Sequence, residues 1–237
     1  MNSKKAIAVI PARGGSKRLP KKNILKMLGK PMIGYTIEAA LESGLFDRVV
    51  VSTDCPEISD ISKSLGAEVP FMRDQNIADD ITPVSAATLD ALNRLDPESN
   101  EYEYICQLMA NCPMRDASDI IASFKHFTAA NARTQISVTR YGWLNPWWAM
   151  EMEAGKPLTP LFAEKLKERS QDLPSLFCPT GAIWWATCEV LREEKTFHTQ
   201  DRRGFELSWK KAVDIDDHDD WDMAEFLMAR KLDGEAR

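Results

Sequence analysis

The segment Ile10–Asn23, reading IPARGGSKRLPKKN, holds the residue types that a polyphosphate needs. An apolar run, Ala6–Ile10, ends at Pro11, and the adjacent glycines Gly14 and Gly15 let the backbone approach a ligand closely. Arg13, Ser16, Lys17 and Lys22 add donors for phosphate oxygens. The spacing is neither the G-x-x-x-x-G-K plus Ser or Thr of a P-loop nor the G-x-G-x-x-G of dinucleotide folds, so kinase and dehydrogenase readings lose their main support.

A second group lies near the other end. Asp214 and Asp216 adjoin a segment, Trp209–Ile215, that reads as a strand, and alternate strand residues share one face. Two carboxylates aimed at one point require a cation, whereas Asp217, Asp219 and Asp220 suit a solvated acidic turn. His126, His198 and His218 are scattered and read as surface or core residues, not ligands.

The net charge of -6 gives no general attraction to nucleic acid, so an anionic ligand must meet a local basic site. The first twenty-six residues supply one, with Lys4, Lys5, Arg13, Lys17, Arg18, Lys21, Lys22 and Lys26. The five cysteines are widely spaced without a C-x-x-C pair and read as reduced thiols. The apolar run before Pro11 is too short for a signal peptide core or a membrane span, so a cytoplasmic protein without membrane attachment is expected.

The elements that position these groups follow from periodicity. Ala6–Ile10 and Arg48–Ser52 are strands covered on both faces. Pro31 opens a helix with Ile33, Ile37, Ala40 and Leu41 on one face, and Cys55–Leu65 forms a shorter helix closed by Gly66. Glu68–Phe71 reads as a short strand, Val84–Leu95 as a helix, Tyr104–Met109 as a strand, Asp119–Phe127 as a helix and Gln135–Thr139 as a strand. Gly181–Ala186 is a further strand and Trp221–Leu232 a closing amphipathic helix. Such alternation predicts a mostly parallel sheet with helices on both faces and ligands beyond the carboxyl ends of the strands.

The pattern breaks between Tyr141 and Pro179, where prolines accumulate with Trp143, Trp147, Trp148, Leu161 and Phe162. This inserted lobe holds either a satellite core or a partner surface.

IPARGGSKRLPKKN resembles the N-terminal signature of the acylneuraminate cytidylyltransferase family, the CMP-sialic acid synthetases and their bacterial relatives for legionaminic and pseudaminic acids. Similar segments follow in order: GKPMIGYTIEAALESGLFDRVVVSTD, GAEVPFMRDQNIADD, NCPMR, CPTGAIWW and VDIDD. The resemblance implies an α/β fold, a Rossmann-like three-layer nucleotidyltransferase sandwich, as one domain over 1–237 with a dimerisation lobe near 141–179. It implies transfer of CMP from CTP to an acidic nine-carbon sugar, with release of pyrophosphate. It assigns Ala12, Arg13, Gly14, Ser16, Lys17, Lys22, Asn23 and Arg73 to the nucleotide, Asp214 and Asp216 to Mg2+, and Arg13, Lys22 and Asp216 to catalysis. Arg169 and Gly181 are expected at the sugar, Arg169 because a guanidinium grips a carboxylate bidentately, and a homodimer is expected.

Three departures stand out. Met109 takes the place of a glutamine that contacts the nucleotide, and Gln107, which shares its strand face, is either a compensating contact or a plain polar residue of the strand. Cys178-Pro179-Thr180-Gly181-Ala182 replaces R-P-N-G-A, so the sugar differs from ordinary N-acetylneuraminate. Ile81–Ser85 lacks the serine-rich start of its helix, where Thr82 or Ser85 stands in. Two alternatives remain open: another sugar nucleotidyltransferase, with a different base or a Kdo-like acid, and a catalytically silent nucleotide-binding protein.

Overall fold

In the computed structural model the described residues are 5–78 and 82–235, with side chains described up to residue 232, so Lys4 and Ile81 lie outside them. The main sheet has six strands: β1 (Ala6–Pro11), β2 (Arg48–Ser52), β3 (Tyr104–Gln107), β4 (Thr134–Arg140), β5 (Phe177–Thr187) and β6 (Arg203–Leu207). Their order is β2-β1-β3-β5-β4-β6. β1 pairs parallel with β2 and β3, β6 pairs parallel with β4, and β5 runs antiparallel between β3 and β4.

Among the described residues six α-helices occur: α1 (Met32–Glu42), α2 (Pro56–Ser64), α3 (Val84–Leu95), α4 (Ala117–Ala129), α5 (Cys188–Glu194) and α6 (His218–Glu235). Strand alternation sorts β1 between two cores. Ala6, Ala8 and Ile10 pack with Ile33 and Ile37 of α1, Ile58 of α2 and Ile120 of α4. Ile7 and Val9 pack on the other face with Ala91 and Leu92 of α3 and Leu191 of α5. This is the expected three-layer sandwich. Among the described residues no helix is long and apolar enough to cross a membrane.

Two expected strands are absent. Glu68–Phe71 makes only a single bridge beside β2, Val50 to Glu68, with another just beyond it from Thr53 to Met72, because Pro70 has no N–H to continue a ladder. Trp209–Ile215 is not a strand either. The last strand, β6, lies earlier, at the sheet edge, where its polar, largely exposed residues hide the period-two signal. The chain then turns, with Lys211 N donating to Ser208 O at 2.9 Å, and Ile215 N donates to the carbonyl of Asn111 at 2.9 Å.

Between β4 and β5 the lobe carries a small antiparallel pair, Met150–Glu151 with Thr159–Pro160, and β5 itself begins at Phe177, within the expected insertion. Trp147 packs edge-on against Phe162 with ring centroids 5.1 Å apart and donates from Nε1 to the Pro174 carbonyl at 2.9 Å. Trp143, at 87% exposure, and Met152, at 82%, face outward.

Candidate active site

The loop after β1 is shaped by two contacts. Gly14 N donates to Asp54 Oδ1 at 2.9 Å, and Asn23 Nδ2 donates to the carbonyl of Arg13 at 2.9 Å. A side chain at Gly14 would sit 2.9 Å from Cβ of Cys55, so only glycine allows this approach; at Gly15 nothing lies within 4 Å. Further on, Leu19, Met27 and Met32 pack with Val213, Ile215, Trp221 and Met228. That small core docks the basic loop onto the acidic segment.

The docking brings opposite charges together. Lys22 Nζ donates to Asp216 Oδ1 at 2.8 Å and to the Ile215 carbonyl at 2.5 Å, while Arg18 donates to Asp216 Oδ2 at 2.6 Å. Burial opposes the charge of Asp216, but Lys22 and Arg18 outweigh it and hold its carboxyl below the usual range. Asp214 behaves differently. It stays open to water in the cleft although protein atoms crowd it from most sides. That crowding, and then the charge of Asp216, raise its carboxyl to about 6.

Arg18, Lys22 and Asp216 border a cavity of about 500 Å³ at the carboxyl ends of β1 and β3, whereas Asp214 is not among its lining residues and sits beside Gly181. Pro11, Arg13, Ser16, Lys17, Lys22 and Asp216 line the cavity's polar, mostly basic side. Ile77, Ala78, Thr82, Val84, Ala87 and Met109 line the apolar side, with Arg73 among them. Arg73 is 6% exposed, and its Nε and one terminal nitrogen have no hydrogen-bond partner. Burial lowers its pKa, against the attraction of Asp54, whose Oδ1 is 3.8 Å away. A buried guanidinium left with unmet donors is costly unless a ligand meets them.

Asp214 and Asp216 offer hard oxygen donors, and the raised carboxyl of Asp214 beside a second acid is the electrostatic mark of a site that a divalent cation relieves. The residues present therefore fit such an ion. No cluster of three or more His, Cys, Asp or Glu side chains suited to a metal occurs among the described residues.

Residues 7–144 match the family model described as cytidylyltransferase. The chain belongs to the cytidylyltransferase family. It is 34% identical over 223 residues to a pseudaminic acid cytidylyltransferase of Campylobacter jejuni, covering 94% of this chain and 96% of that one. It is 32% identical over 224 residues to the CMP-N,N'-diacetyllegionaminic acid synthase of Legionella pneumophila, covering 94% and 95%. In fold it is similar to a CMP-2-keto-3-deoxy-manno-octonic acid synthetase complexed with CTP, with a TM-score of 0.71 and 19% identity over 96% of this chain and 99% of that one.

In this cytidylyltransferase Arg13, Ser16, Lys17, Lys22, Arg73 and Asp216 border one cavity, and Asn23 lines it as well. Ala12 is buried, its N–H donating to Ser52 O at 2.9 Å, and Gly14 lies behind the loop against Cys55. Gly181 backs onto Met109 and Asp214: a side chain there would meet Met109 Cγ at 2.8 Å. Arg169 does not border the cavity; it sits on the lobe, paired with Asp172 at 2.7 Å. Gln107 is fully buried behind Met109, accepting from Thr88 Oγ1 at 2.6 Å, so it does not reach the cavity in place of Met109. Thr82 borders the cavity, whereas Ser85 is buried in α3.

Sequence reasoning missed Asp54 and Asn111. Asp54 ends the VVVSTD run at the tip of β2, a position beyond a strand's carboxyl end that could have flagged it. A larger concavity of about 940 Å³ opens at the opposite end of the sheet, but Glu101, Glu103, Glu189 and Glu193 around it make it unfit for a polyphosphate.

Proposed function

We propose that this cytidylyltransferase transfers CMP from CTP to an acidic nine-carbon sugar of the pseudaminic or legionaminic type, releasing pyrophosphate. The observation that carries the reading is the convergence on one cavity of the basic loop, the Asp216 carboxylate and the ligand-hungry Arg73. The named relatives, matched over nearly their full lengths, support the sugar class.

In this reading a sugar hydroxyl attacks the α-phosphorus of CTP in line and gives up its proton to water, the bond to the bridging oxygen breaks, and the electron pair leaves with pyrophosphate. Arg13, Ser16 and Lys22 hold the phosphates and stabilise the charge that builds on the leaving group. Arg73, walled by Ile77, Val84 and Ala87, offers donors to the base or ribose. Asp214 and Asp216 hold Mg2+, which when bound neutralises phosphate charge. The sugar lies toward Asp214, Gly181 and the lobe, and Arg169 contributes only if the lobe of a second copy brings it near. The exposed Trp143, Leu144, Met152 and Leu161 supply an apolar face for such a symmetric dimer.

The test is the purified chain with Mg2+, each of CTP, UTP, ATP and GTP, and a panel of pseudaminic, legionaminic, N-acetylneuraminic and Kdo acids, followed by pyrophosphate release and mass spectrometry of the product. The expected product is a CMP-linked nine-carbon acid. Pyrophosphate from another nucleotide, or from none, rejects the reading.

A further inference from the structure

Between the end of β3 and the Asp214–Asp216 run stands a side chain that the phosphate and metal assignments leave without a role. Asn111 is 8% exposed, and its amide nitrogen donates both to Asp214 Oδ1 and, at 3.2 Å, to the carbonyl of Ile215. Its backbone carbonyl accepts from Ile215 N at 2.9 Å. One residue thus ties the run to the tip of β3, where a strand ladder was expected and none forms.

The residue that does the tying is itself held. Arg115, only 2% exposed, donates to the carbonyl of Cys112 and, at 3.1 Å, to that of Met109, the two carbonyls that flank the turn carrying Asn111. Its Nε has no hydrogen-bond partner. A buried guanidinium without a paired acid is expensive, and here its directed donors go to the backbone of a turn.

We propose that Asn111 is a positioning residue that orients Asp214 and fixes Asp216 against the basic loop, with Arg115 bracing the turn from which it acts. The inference rests on the assignment of these aspartates to the cation. Without the amide, Asp214 loses its directed donor and the carbonyl of Ile215 keeps only Lys22. Partners that orient metal-binding groups typically set affinity by about 10- to 100-fold.

The experiment compares the unaltered chain with Asn111→Leu, which keeps the volume without donors, and Asn111→Ser, which keeps one hydroxyl. Binding of Mn2+ in the presence of CTP is followed by electron paramagnetic resonance, alongside steady-state kinetics and thermal unfolding. Asn111→Leu is expected to weaken Mn2+ binding roughly 10- to 100-fold, and to raise the metal concentration for half-maximal turnover in parallel. At saturating metal its KM for CTP should change by no more than about twofold, with the loss confined to metal-linked terms. Asn111→Ser should fall between, and it decides the matter if the leucine variant does not fold. Unchanged Mn2+ affinity in the folded variants overturns the positioning role, as does a change confined to the KM for CTP, which would put Asn111 on the substrate. If the unaltered chain neither binds Mn2+ with CTP nor releases pyrophosphate, it is the assignment of the site that falls.

Discussion

Lys22 and Asp216, 194 residues apart in sequence, meet at 2.8 Å. The lysine side chain is 13% exposed and the aspartate 45%, so the pair sits at the cavity wall, within reach of a ligand. Each group has a second use: the ammonium suits a phosphate and the carboxylate suits a cation. A triphosphate carrying its metal competes for both partners at once.

Replacing Lys22 with Met should therefore reduce kcat/KM for CTP about 10²- to 10³-fold, the usual loss on removing a donor that stabilises developing charge. Stability should fall by only about 1 kcal/mol, because Asp216 is half open to water and keeps Arg18 while the Ile215 carbonyl keeps Asn111. Steady-state kinetics with CTP varied, read beside a thermal melt, checks both halves; a variant with unchanged kcat/KM removes Lys22 from the phosphate site.

Asp216→Asn deletes charge but almost no volume, and the residue is partly exposed, so the fold should persist. Turnover should become undetectable across a magnesium titration. Near-normal rates at low magnesium would show that Asp216 does not hold the ion.

The carboxyl of Asp214, raised from 3.8 to about 6, makes a signed prediction for pH. The folded chain binds this proton more tightly than the unfolded one, so its ionisation opposes folding, and stability without metal should rise as the pH falls from about 7 toward 4. The water in the cleft screens the effect to the order of 1 kcal/mol. Asp214→Asn should accordingly stabilise the metal-free protein at pH 8 while removing activity, and the metal concentration needed for half-maximal turnover of the unaltered enzyme should rise as the pH drops through about 6, where the proton competes with the cation. Denaturant melts at pH 5 and 8 decide the matter; a stability that is flat or rises with pH for this residue's contribution contradicts it.

Away from the site, Asp96 is 2% exposed and accepts from the N–H groups of Asn100 and Glu101 at 3.0 and 3.1 Å and from Arg192 at 3.1 Å. Burial works against its charge, but these donors prevail and hold its carboxyl below the usual range. Its contribution is complete above the unfolded value of about 3.9 and fades as the pH falls further. Asp96→Ala should lower stability by about 2–4 kcal/mol at pH 7 with kcat/KM unchanged. A chemical denaturation series measures the difference, and a loss under 1 kcal/mol would mean water replaces the carboxylate.

For the lobe, Trp143→Asp places a charge on the most exposed aromatic of the proposed dimer face. Since a twofold interface repeats its contacts, sedimentation should show dissociation raised more than tenfold, with turnover falling in step if the second copy completes the sugar site. An unaltered chain that sediments as a monomer at full activity excludes the dimer.

The sandwich was legible because β1 and β2 are unbroken apolar runs and α1 to α4 carry clear helical periods. The basic loop was legible too, since glycines and cations at fixed spacing are local signals. What could not be read was the acidic run. Its hydrophobic residues Ala212, Val213 and Ile215 imitate a strand, yet they belong to a small core with Leu19, Met27 and Trp221 or to the sheet's near face, and the run is held by Asn111 in place of a ladder. The crowding around Asp214 and the buried, unmet donors of Arg73 also depend on packing between distant segments, which leaves no periodicity behind.

The core that joins Leu19, Met27 and Met32 to Val213, Trp221 and Met228 also bears on how the enzyme is made. A growing chain released through Leu207 already contains all six sheet strands, but it lacks both aspartates and the helix that clamps the basic loop. Translation thus delivers the scaffold first and the proposed cation site last, and a product that stops at Leu207 should give no pyrophosphate from CTP even where its sheet has formed.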